Sequence, residues 1–144
     1  SDTTYILGDL IFTKDPMEAV RITTQLNGEI VLIKGNHDHS NILKVLSKYI
    51  EVIPGLLDLQ VKDDEIDGGV QRITLCHYPM ISWNCSHRGA WQLFGHHHNG
   101  NEKGGAVYSK LTPNQLEVGV DAHDFTPISY ERVKELITKQ NLKV

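Results

Sequence analysis

Apolar positions along this chain follow two rhythms, short continuous runs and helical spacing, and they alternate. Tyr5-Ile6-Leu7 is a short apolar run that closes at Gly8-Asp9, as a buried strand ending in a turn would. Asp15-Pro16-Met17-Glu18 reads as a helix start, with Asp15 as N-cap, Pro16 at the first helical position and Glu18 at the third. Asn27-Gly28 reads as its exit, because both residues tolerate the left-handed conformation. Glu29 to Lys34 holds the buried-strand run Ile30-Val31-Leu32-Ile33, and Gly35-Asn36-His37-Asp38 follows it. Ser40 is placed to cap a second helix, with Ile42, Leu43, Val45, Leu46 and Tyr49 at helical spacing. Strand, helix, strand, helix predicts an α/β opening. Ligands in such sheets sit beyond the carboxyl ends of the strands, where Asp9 and Asn36-His37-Asp38 fall.

The second half has a different pattern. Leu56 to Lys62 and Gln71 to His77 are strand-like runs around the turn-rich stretch Asp63 to Gly69, which predicts a hairpin. Trp91 to Gly95 is a further short strand, and Leu116 to Val120 alternates as another. Ser129 to Asn141 is an amphipathic closing helix with Val133, Leu136 and Ile137 on one face. With neither internal repeat nor linker, residues 1–144 read as one domain.

Composition narrows the class. Hydrophobic residues at 40%, charged at 22% and aromatic at 7% exclude a disordered or fibrous chain. No apolar run approaches the roughly 20 residues needed to span a bilayer, and Ser1-Asp2-Thr3-Thr4-Tyr5 has no secretory pattern, so a cytoplasmic protein without a membrane partner is expected. A net charge of −4 argues against a broad nucleic-acid footprint. Cys76 and Cys85 cannot build a disulfide framework and read as reduced thiols.

The informative residue is histidine, with eight copies, five of them in the groups His37/His39 and His96-His97-His98. The predicted strand ends carry Asp9, Asn36, His37, Asp38, His77, His96 and His98. Carboxylate, amide oxygen and imidazole together suit divalent manganese, iron, nickel or zinc. Were the segment extended, His96 and His98 would face one side and His97 the other. Each element alone is ordinary, since Gly-Asp after a strand is commonly just a turn. Their coincidence at successive strand ends is not.

Gly8-Asp9, Gly35-Asn36-His37-Asp38, His77-Tyr78-Pro79 and Gly95-His96-His97-His98, in this order and spacing, resemble the calcineurin-like metallophosphoesterase family, in particular its small phage and prokaryotic branch. Trp83 and Val118-Gly119-Val120-Asp121 extend the likeness over nearly all of the chain. The resemblance implies a layered α-β-β-α sandwich of two mixed sheets flanked by helices, and a dinuclear site at the strand ends. It implies an enzyme that hydrolyses a phosphodiester or phosphomonoester with a hydroxide activated by two divalent ions, manganese foremost. By position, Asp9 would bridge both ions, Asn36, His77 and His96 would complete one shell, and His98 would bind the other ion. His37 would be the catalytic histidine and general acid, with Asp38 its orienting partner.

One motif of that family, an Asp-x-His on a preceding strand, has no counterpart in the chain. Asp2 cannot substitute, because on an extended strand it lies roughly 23 Å from Asp9. Ser1-Asp2-Thr3-Thr4 is expected instead as a loop leading into the strand. The chain is therefore expected to lack a first strand, to hold one ion tightly and the other weakly, and to expose a sheet edge open to a second copy. The incomplete site also leaves room for a non-catalytic metal-binding or scaffold protein of the same fold, and a nuclease is a further, less favoured alternative. Between His77 and Gly95, the expected rim for a small phosphoester substrate, Arg88 is the candidate phosphate clamp and Trp83 is expected in the core. His39 and His87 are expected at the surface, and His123 in a loop.

Overall fold

The structure is a computed structural model that describes residues 2–98 and 105–144. Its first sheet contains β1 (Thr3–Ile6), β2 (Glu29–Ile33) and β3 (Glu51–Ile53) in that order. The second contains β4 (Leu56–Lys62), β5 (Val70–Cys76), β6 (Trp91–Phe94) and β7 (Gln115–Glu117). The helices are α1 (Pro16–Thr23), α2 (Ser40–Leu46), α3 (Gly105–Tyr108) and α4 (Tyr130–Leu142). The α/β class is as expected. The expectation of two mixed sheets needs correcting: among the described residues the first sheet is purely parallel, because α1 and α2 return the chain to the same end before β2 and β3. The second is mixed, with β4 antiparallel to β5 and the remaining pairs parallel.

β2 is covered on both faces. Val31 and Ile33 join Leu7, Ile73, Leu75, Trp91, Leu93, Val133 and Ile137 in one core that links both sheets with α4. Ile30 and Leu32 point the other way by the two-residue alternation of a strand and are buried as well. That explains the unbroken apolar run. Ala19, Ile42 and Leu46 form a second cluster between α1 and α2, with Leu10, Ile11 and Ile50 packed against it.

Local signals set most element starts. Asp15 caps α1 by accepting from Met17 N–H at 2.9 Å. Glu18 does not close a box onto Asp15; it accepts from the Thr13 hydroxyl at 2.6 Å, which in turn accepts from Asp15 N–H. α1 stops at Thr23 rather than at Asn27-Gly28, and Gly28, at φ 80°, instead turns the chain into β2. The N-cap of α2 is His39, not Ser40, and Tyr49 is exposed while Ile50 packs inward. The strand expected at Leu116–Val120 is Gln115–Glu117, followed by a 3-10 turn at Val120–Ala122. β3, only three residues long, has no signal in the sequence. The expected leading loop needs correcting, because Thr3 and Thr4 begin β1 and pair with Glu29 and Ile30 of β2. Asp2 precedes β1, at the end of that strand opposite Asp9, and Ser1 lies outside the described residues.

The second sheet carries a row of polar side chains in direct register, Asp58, Thr74, Gln92 and Gln115. The last three are buried, and all four are hydrogen-bonded. Gln92 and Gln115 hold the backbone of Tyr78 and Met80, and Asp58 holds the Asn84 side chain. The row thus pins the segment after His77 to the sheet. Among the described residues no helix is long and apolar enough to cross a membrane.

Candidate metal centre

The site is assembled where strands end. Gly8-Asp9 follows β1, Asn36 and His37 follow β2, His77 follows β5 and His96 follows β6. Close backbone approach makes the glycines necessary. A Cβ on Gly35 would collide with the Asp9 carboxylate and lie 2.7 Å from Asp9 N, and a Cβ on Gly8 would collide with His77 Nδ1. Gly8 and Asp9 both take positive φ, 88° and 55°, so the chain doubles back and aims Asp9 at the β2 end.

Asp38 locks this arrangement. Its buried carboxylate accepts from Asp9 N–H at 2.8 Å, Gly35 N–H at 2.7 Å and Leu10 N–H at 3.1 Å. The expectation that Asp38 orients His37 needs correcting, because its oxygens are taken up by three backbone donors. His37 is instead attached through its own N–H, which donates to Asp9 Oδ1 at 2.8 Å, and its imidazole is exposed beside Phe12.

His77 is the most constrained member, 2% exposed. Its Nδ1 lies 2.6 Å from Leu7 O. A carbonyl can only accept, so Nδ1 carries a proton, and Nε2 is the ring atom turned toward the group. His77 Nε2 faces Asn36 Oδ1 at 2.9 Å and Asp9 Oδ2 at 3.4 Å. An imidazole nitrogen and two oxygens this close need a proton or a metal ion between them. His96 closes the group: donor atoms of Asp9, His77 and His96 all lie within 4.8 Å of one another, and this set could hold a metal ion. The backbone of Gly95 donates to His77 O at 3.0 Å, which sets His96 beside His77. Burial, with the neighbouring His77, lowers the His96 pKa and favours the neutral imidazole that ligates metals.

His96 and His98 do not share an extended face. Their φ values, 71° and 48°, are left-handed and turn the segment, so His98 stands outside the group. Its Nδ1 lies 2.6 Å from Asp121 Oδ2, a carboxylate–imidazole pairing of the kind that orients metal-binding histidines. Arg88 is exposed on the 3-10 turn Ser86–Arg88 and makes no described contact with the group. Trp83 is half-buried rather than in the core, its indole N–H donating to Ala90 O at 3.0 Å. His123 Nε2 is bonded to Glu117 O, and both cysteines are free.

Over 141 residues the chain is 30% identical to the uncharacterized protein MJ1445 of Methanocaldococcus jannaschii, with 96% of this chain and 67% of that protein covered. The chain belongs to the MJ1445 family. No protein-family model matches it, and no solved structure does. In this member of the MJ1445 family, Gln92 and Gln115 are structural parts of the site that sequence reasoning missed. The available signal was a glutamine within the otherwise apolar run Trp91 to Phe94.

Proposed function

We propose that the chain is a metal-dependent phosphoester hydrolase with a calcineurin-like fold, acting on a phosphodiester or phosphomonoester. The observation that carries this reading is the convergence of Asp9, His77 and His96, joined by Asn36, with His77 Nε2 turned inward. The ordered motifs that place these residues at successive strand ends support it too. One carboxylate, one amide oxygen and two imidazoles suit manganese, and also iron, nickel or zinc. Asp9, Asn36, His77 and His96 would hold one ion, and Asp9 with His98 would contribute to a second, more weakly held. Bound there, such ions would lower the pKa of coordinated water and offset the charge of phosphate oxygens.

The chain's own residues do the rest. Asp38 fixes the backbone that carries Asp9, and Leu7 O fixes the His77 tautomer. His37, tethered to Asp9 through its backbone N–H, carries an exposed imidazole that would give a proton to the leaving oxygen. Hydrolysis of an aryl phosphodiester with added manganese tests the reading. His77→Ala is expected to abolish both binding and turnover. His37→Ala should keep manganese but lose about 10²-fold or more on an alkyl leaving group, and far less on an activated aryl one. Equal losses on both would remove His37 from the acid role.

A non-catalytic metal-binding module is favoured by one observation, that only one three-donor group gathers among the described residues. Tight manganese binding in calorimetry without any hydrolysis would select it.

A further inference from the structure

Two exposed aromatic rings stand near the site, Phe12 beside His37 and Tyr78 against two of the donors. Phe12 is 69% exposed and Tyr78 44% exposed. The Phe12 ring lies 5.3 Å from that of His37, tilted by 47°. The Tyr78 ring meets His77 and His96 edge-on, at 4.8 Å from each. Neither ring owes its position to a slack loop. Leu10 N–H is bonded to Asp38, Leu10 and Ile11 pack against the α1–α2 cluster, and the Thr13 hydroxyl is bonded to Glu18. Phe12 therefore follows two partly buried residues packed on that cluster and precedes a bonded turn. Tyr78 follows the buried His77, and its carbonyl is held by Gln92. An exposed ring carried on backbone that is tied down is suited to stack on a flat ligand, because less order remains to be imposed on binding.

We infer that Phe12 and Tyr78 are the stacking faces for a planar group on the substrate, so that the ester bound at this site is a small nucleotide-type phosphoester rather than a sugar or alkyl phosphate. The inference rests on the phosphoesterase reading for the position of the phosphate. The net charge of −4 agrees with a small ester rather than a long polyanion, which would need a basic track. Stacking tolerates every base, because each has a π-face, so base identity is left open to the edges of the ring.

Calorimetry on the manganese-loaded protein tests this with adenosine 5′-monophosphate and ribose 5-phosphate as the matched probes. The nucleotide is expected to bind about tenfold tighter or more, the lower end of what one stacked base contributes. Phe12→Ala and Tyr78→Ala should each remove most of that preference, and Phe12→Tyr should restore it by returning a π-face. Equal affinity for the two probes, binding of neither, an equal loss on both in Phe12→Ala, or no rescue by Phe12→Tyr would each overturn the inference. Assays of the same preparations on aryl and alkyl phosphodiesters keep the two readings apart. A nucleotide preference that depends on Phe12, without hydrolysis of any ester, retains the stacking faces and removes the hydrolase. Hydrolysis that ignores both Phe12 and the aromatic group does the reverse.

Discussion

Asp38 is a residue whose chemistry shows in its type and whose task does not. A buried carboxylate must find donors, and it finds three backbone N–H groups on two loops, Asp9 and Leu10 on one and Gly35 on the other. Asp38→Asn keeps the shape but turns an amide N–H₂ toward at least one of those donors. The expected cost is about 2–4 kcal/mol, from lost charge-assisted bonds and a buried donor left unmatched. Urea unfolding measures it, and manganese affinity should fall with it because Asp9 is no longer held. Gly35→Ala is a cleaner probe of geometry. Its Cβ would meet Asp9 N at 2.7 Å and His77 Cε1 at 2.9 Å, so the variant is expected to lose metal binding by much more than it loses stability. Calorimetry beside a urea curve separates the two effects. The sequence motif marked both residues as special, but only the folded loops reveal that one clamps backbone and the other clears space.

Elements depend on one another in a way a single stretch of sequence does not display. The turn after β4 is tied to α4: Lys134 Nζ lies 2.7 Å from Asp63 and 2.6 Å from Glu65, and the Tyr130 hydroxyl donates to Asp63 at 2.6 Å. The Lys134 hydrogen bond, then that of Tyr130, holds the Asp63 carboxyl below its ordinary pKa. Because the folded value is depressed, this contribution to stability is present above the unfolded carboxylate pKa of about 3.9 and is lost as pH falls through the folded one. Lys134→Met should therefore lower the urea midpoint at pH 7, and its difference from the parent protein should shrink as the buffer is acidified below about pH 4. A difference that does not change with pH would assign the effect to packing of the lysine stem. The hairpin and α4 were legible from turn residues and apolar spacing, and Ser129 caps α4 by accepting from Arg132 N–H. β3 was not legible, because three residues carry no period and its pairing with β2 exists only once α2 has returned the chain. The histidine run misled for a related reason. Alternation predicts side-chain direction in a strand, and β6 ends at Phe94, one residue before Gly95.

Across the whole molecule, the donor group joins the two sheets. Asp9 leaves β1 of the first sheet, and His77 and His96 leave β5 and β6 of the second, so an ion held by all three would cross-link them. An ion that binds only the folded state stabilises it by mass action, about 2.7 kcal/mol at a concentration one hundred times its dissociation constant. Manganese is expected to raise the melting temperature, a chelator to reverse the gain, and His77→Ala to abolish the response. Thermal scans with and without chelator check this.

The sequence by itself determined the alternation of strands and helices, the α/β class, the hairpin, and the residues able to donate to a metal. Those properties depend on side-chain chemistry and on periods of a few residues, both written locally. The tertiary structure alone decided which donors meet, that Asp38 serves backbone rather than His37, and that His98 turns to Asp121. The reason is physical. Donors from four strand ends can meet only after two sheets have packed on one core, and the backbone angles that aim them are settled by that packing.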